Sequence, residues 1–180
     1  YVNNAQFIAG TTLKNPQYPE QFNMGLHVAK STDAVIENRK ALAASLHCSI
    51  DQLVCANQTH SANFYKVTKA DVGKGATSQS DAIADTDALY TFERDIILTS
   101  FSADCVPVII YSEIDGVAAV VHSGWQGTVK EITYKLLLHL QKEEGCDLSS
   151  LHVVIGPALS QQKFEVDRDV YDRFNALGYA

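Results

Sequence analysis

Proline is scarce, with four residues in 180, and no Pro/Gly-rich or low-complexity tract divides the chain. A linker between large domains is therefore not expected, and the length suits one ordinary domain. Basic residues are also in deficit, 14 Lys and Arg against 21 Asp and Glu, for a net charge of −7. With a pI near 5.2 and no basic run, the chain has no positive face for a phosphate backbone, so nucleic acid is excluded as a partner. Long apolar runs are absent. The longest, residues 106–111 and 116–121, fall far short of the roughly 20 residues that cross a bilayer, and no membrane association is expected. Residues 1–25 lack the basic start and apolar stretch of a secretory signal. That predicts a cytoplasmic protein with Cys48, Cys55, Cys105 and Cys146 reduced, and makes the sequon at Asn57 a chance match. What is present is ample core material: 46% of residues are hydrophobic and 19% charged.

Patterning predicts a mixed order of elements. Residues 31–47 read as a helix capped by Ser31 or Thr32, with Val35, Leu42 and Leu46 at helical spacing. Residues 52–67 read as extended, and period-2 alternation there puts Gln58 and His60 on one face and Cys55 on the other. The polar stretch 68–86 is too long for an idle connection, so it is expected to be functional or mobile. Three β-branched runs, 95–100, 106–112 and 116–122, predict neighbouring strands of a buried sheet. A helix over 128–144 follows, with Thr128 and Glu131 in a capping-box pattern and an apolar stripe of Val129, Ile132, Leu136 and Leu140. Residues 151–155 predict another buried strand, and 167–177 a short helix. This order argues for an α+β (mixed α/β) sandwich without strict βαβ alternation.

Common signatures are missing. There is no P-loop, dinucleotide-binding glycine motif, nucleophile elbow, H-E-x-x-H, nucleobase-deaminase signature or C-x-x-C pair. Any site must be assembled from distant residues. Three positions stand where a strand gives way to polar or glycine-bearing sequence: His60, Cys105 and His122. Two imidazoles and a thiolate form a ligand set for zinc that leaves a fourth position open. The same residues also suit a buried inert cysteine and two hydrogen-bonded histidines. Gly124 and Gly127 either expose N–H groups to an anion at a helix start or only permit a tight turn. Trp125, the only tryptophan, either stacks a base or fills core. Asp85, Asp87 and Asp104 either converge on this site or are ordinary turn carboxylates. His27, His47, His139 and His152 are left out, lacking polar company.

Several short stretches in order give a resemblance. They are Ala9 to Lys14, Phe22 to Val28, Glu37 to Arg39, Gln58 to His60, Thr86 to Ala88, Ala103 to Pro107, His122 to Gly127, Ile155 to Ala158 and Phe164 to Val166. Together they resemble the YfiH family, long labelled laccase-like polyphenol oxidase and later recognised as zinc-dependent purine nucleoside enzymes. The resemblance implies an αββα sandwich, mixed sheets flanked by helices, over a single domain 1–180 that lacks the C-terminal part of the family domain. It implies Zn2+ on His60, Cys105 and His122 as the catalytic centre, with copper as a competing ion. Lys14, Gln58, Asp87, Trp125 and Gln126 are the expected substrate contacts. Purine nucleosides and phosphate are the expected partners: phosphorolysis of adenosine, guanosine, inosine and methylthioadenosine, and deamination of adenosine. The family commonly carries Arg where this chain has Lys14 and Gln126, and neither reproduces a guanidinium fork. A Cys105–His122 hydrolase or deamidase is the alternative, since glutamine-deamidating toxins share a similar sandwich. Copper oxidase chemistry ranks third, for want of further histidine clusters.

Overall fold

The computed structural model describes residues 1–178, so the last two residues of the expected domain 1–180 lie outside the described residues. Nine strands and four α-helices follow in order: β1 (Val2–Asn3), β2 (Ile8–Ala9), α1 (Thr32–Ser45), β3 (Leu53–Val54), β4 (Phe64–Lys66), β5 (Ala88–Thr91), β6 (Ile97–Leu98), β7 (Val106–Ser112), β8 (Val117–Ser123), α2 (Trp125–Val129), α3 (Ile132–Lys142), β9 (His152–Ile155) and α4 (Arg168–Asn175). The main sheet has the order β4-β5-β8-β7-β9, and only its β4–β5 pair is parallel. β3 and β6 pair in parallel as a second sheet, and β1 and β2 form a small antiparallel ribbon.

Period-2 burial explains the layering. Ala88, Tyr90, Val108, Ile110, Val117, Ala119 and Val121 project from one face of the main sheet onto Ile132, Leu136 and Leu140, the apolar stripe of α3. Leu89 and Val120, on the other face, pack against Val54, Ala56, Val67, Ile83 and Leu98. Beyond β3, Leu53 and Cys55 meet Ala43 of α1 and Ala76. The layers run helix, sheet, sheet, helix, which is the expected αββα sandwich. Among the described residues no helix is long and apolar enough to cross a membrane.

Several local expectations are corrected. Residues 52–67 are not one strand: β3 and β4 lie in different sheets, and the predicted alternation of Gln58 and His60 against Cys55 gives way to a loop in which His60 is left-handed (φ 60). The 95–100 run yields only β6, which pairs with β3 rather than with β7 or β8. The 128–144 helix is two helices, because Glu131 adopts φ 61 and no side-chain cap forms there; the Thr128 hydroxyl bonds Gly124 O instead. β9 is not buried, with Val153 and Ile155 47% and 70% exposed. The 68–86 segment is packed, burying Ala76 and Ile83. Arg39, itself buried, ties it down by donating to Gly75 O (2.6 Å) and Ala76 O (2.8 Å) while also holding Met24 O.

Candidate metal centre

Strand register brings the chemistry to one end of the main sheet. β7 and β8 pair with Val106 opposite Ser123 and Pro107 opposite His122, so Cys105, just before β7, comes beside His122. Ala88 of β5 pairs with Val121, which sets Asp87 against His122 from the other side. His60 arrives from the loop between β3 and β4. A parallel bridge of Ala56 to Ile83 lays that loop along the segment leading to Asp87.

The result is a cluster in which one ligand atom each of His60, Cys105 and His122 lies within 4.8 Å of the other two. Cys105 Sγ is 3.9 Å from His60 Nε2, and the two imidazoles meet edge to face with centroids 4.9 Å apart. Gly124 makes room for them: a Cβ there would stand 2.8 Å from His60 Cδ2 and 3.0 Å from Cys105 Sγ. Two nitrogens and a sulfur at these separations are a donor set that one small, borderline-soft cation can bridge, so the residues present fit a metal. Among the described residues it is the only such cluster of histidine, cysteine and acidic groups.

The surroundings are polar and specific. Burial alone would raise the Asp87 carboxyl, but hydrogen bonds from His122, Ser61 and the Thr59 backbone bring it down to about 2. Burial pushes the Cys105 thiol up, and the charges of Asp104 and Asp87 push it further. The Lys130 ammonium donates to His60 O at 2.8 Å, bracing the left-handed turn. Asp85 takes the Thr59 hydroxyl and the Asn63 amide, so Asp85 and Asp87 both converge on loop 59–63. Asp104 is exposed beside Cys105 and outside the cluster.

The cluster opens into a cavity of about 1770 Å³ between the main sheet and the N-terminal segment. Lys14 and Gln58 line it, together with the three cluster residues. Gln58, however, spends its amide on the Phe101 backbone, donating to O and accepting from N, each at 2.8 Å. Asp87, Trp125 and Gln126 are not part of the lining among the described residues. Trp125 instead lies under the Arg173 guanidinium of α4, 5.6 Å from the ring centre. Sequence reasoning passed over His27, which lines the cavity; burial lowers its pKa, and Arg39 and His122 lower it further. Its only signal was its place within the stretch Phe22 to Val28.

A family model described as multi-copper polyphenol oxidoreductase laccase matches residues 9–180. Purine nucleoside phosphorylase YlmD of Bacillus subtilis is 38% identical over 97% of this chain and 64% of its own length. The YlmD phosphorylase of Geobacillus stearothermophilus is 36% identical over 92% of this chain and 62% of its own. The crystal structure of Bacillus licheniformis hypothetical protein YfiH superposes with a TM-score of 0.86 at 34% identity, covering 90% of this chain and 60% of that one. The chain thus spans about three fifths of the length of the curated relatives it matches.

Proposed function

The chain belongs to the family described as multi-copper polyphenol oxidoreductase laccase, and from that premise we propose that it is a zinc-dependent purine nucleoside enzyme. It cleaves adenosine, guanosine, inosine and methylthioadenosine with phosphate, giving the base and ribose 1-phosphate, and it deaminates adenosine to inosine. One observation carries the reading. The His60–Cys105–His122 cluster opens into a cavity large enough for a nucleoside, in a chain 38% identical to a named purine nucleoside phosphorylase.

Zinc suits two imidazoles and one thiolate, and three protein ligands leave one position for substrate or water. Copper accepts the same donors, but multi-copper oxidase chemistry needs further ligand sets, and the described residues offer one. Bound here, zinc supplies Lewis acidity at its open position. The residues do the rest. His60, Cys105 and His122 hold the ion at the wall of the cavity. Lys14 on that wall brings positive charge toward phosphate. In phosphorolysis the bond from the anomeric carbon to the purine nitrogen breaks, the base leaves with the electron pair and takes a proton, and a phosphate oxygen bonds that carbon.

The second reading, a cysteine hydrolase, draws on the Asp87–His122 pair beside a thiol. A nucleophilic cysteine needs a lowered pKa, whereas burial and two acids raise that of Cys105. Chromatography of zinc-loaded protein with adenosine, with and without phosphate, tests the proposal. Adenine that needs phosphate, and inosine that does not, are the expected products. No turnover by folded, zinc-bearing protein refutes it.

A further inference from the structure

Asp87 touches the metal cluster from behind. Its side chain is 0% exposed, so no ligand in the cavity reaches it. Its two oxygens meet five donors. Oδ1 accepts from the His60 backbone N–H at 3.1 Å and stands 2.8 Å from His122 Nδ1. Oδ2 accepts from the backbone N–H of Thr59 (3.2 Å) and of Ser61 (2.7 Å) and from the Ser61 hydroxyl (2.7 Å). A carboxylate offers about four lone-pair positions, so none is left for substrate. The main chain adds to this grip, with His122 N–H donating to Asp87 O at 2.7 Å and Asp87 N–H to Asn63 O at 3.0 Å.

Two consequences follow. An acceptor-only carboxylate against Nδ1 calls for a proton there, so Nε2 is the ring nitrogen left to ligate a metal. Three consecutive N–H groups, from residues 59, 60 and 61, point at one carboxylate, and that convergence holds His60 in its left-handed conformation. We propose that Asp87 is the positioning residue of the metal centre, setting the tautomer of one histidine ligand and the backbone conformation that aims the other. This rests on the metal reading above and replaces the expected substrate contact with an indirect role.

Two measurements test it, neither of them turnover. Nitrogen-15 spectra of histidine-labelled, zinc-loaded wild type are expected to show the His122 proton on Nδ1 and the metal on Nε2. Competition with a chromophoric chelator is expected to show that Asp87→Asn weakens zinc binding 10- to 100-fold, the usual loss when a ligand's orienting partner is removed. Asp33→Asn, an exposed carboxylate in the first turn of α1, keeps wild-type affinity. Zinc-loaded His122 bound through Nδ1 or protonated on Nε2, or Asp87→Asn with undiminished affinity, overturns the proposal. Should Asp87→Asn fail to fold, the wild-type tautomer decides alone. Wild type that binds zinc but turns over no nucleoside refutes the functional reading and leaves this one standing. Wild type that binds no zinc refutes both.

Discussion

Gly124→Ala is the most discriminating small perturbation of the site. The backbone there (φ −68, ψ 171) is open to any residue, so the change brings no conformational strain of its own. The cost is contact. The new methyl would lie 2.8 Å from His60 Cδ2 and 3.0 Å from Cys105 Sγ, and carbon atoms rest at about 3.5–4.0 Å. His60 must therefore retreat by about 0.7 Å or more, beyond the roughly 0.5 Å that a preorganised site tolerates. Both displaced groups belong to the proposed ligand set. If the loop yields, zinc affinity drops on the order of 10–100-fold, as when a ligand's support is lost. If it resists, overpacking costs about 1–3 kcal/mol of stability. Chelator competition and urea unfolding on one preparation measure both quantities. Gly10→Ala is the control, since a Cβ there meets nothing within 4 Å. A Gly124→Ala protein with wild-type zinc affinity and wild-type stability would refute the geometry on which the site is built.

Other perturbations separate fold from site. Leu136→Ala, in the core between α3 and the main sheet, is expected to cost about 2–5 kcal/mol in urea unfolding while the folded protein keeps its zinc affinity. Arg39→Lys removes the fork that joins Met24, Gly75 and Ala76. It is expected to cost about 2–3 kcal/mol and to speed proteolysis within 68–86. Asp71→Asn tests a pH dependence. Burial would raise the Asp71 carboxyl, but the Lys74 ammonium and Thr68 hold it below its ordinary 3.8. A lowered carboxyl adds stability that is present above pH 3.8 and fades as pH falls through the folded value. Asp71→Asn is therefore expected to be less stable at pH 7 by about 1–3 kcal/mol and to show a flatter decline below pH 4, read from urea midpoints.

Much of the fold was legible because it is local. The β-branched run at 106–112 is β7 to the residue, and the stripe of Ile132, Leu136 and Leu140 names the face of α3 that is buried. The failures are long-range or conformational. Nothing within residues 95–100 tells that β6 pairs with β3 across more than forty residues rather than with the next strand. The Thr128–Glu131 pattern looks like a cap, but Glu131 takes a left-handed conformation (φ 61) and no side-chain cap bond forms at the start of α3. The grouping of His60, Cys105 and His122 was legible because all three stand at strand ends, and register then brings Cys105 and His122 together, but the choice of a metal site over inert side chains came from the family resemblance. Asp87 was expected as a substrate contact; the convergence of three N–H groups of a left-handed loop on its carboxylate is something spacing does not show. Trp125 and Gln126 were expected as substrate contacts through the family resemblance; β8 ends at Ser123, and α2 holds both outside the cavity lining among the described residues.

The most direct test of the whole account is a zinc titration of metal-free protein during phosphorolysis of inosine, with hypoxanthine release and bound metal followed together. Activity is expected to rise in step with zinc and to level off at one ion per chain, while Cys105→Ala neither binds the ion tightly nor releases hypoxanthine. Hypoxanthine release that ignores zinc, or that survives in Cys105→Ala, would contradict the claim that His60, Cys105 and His122 form the working centre.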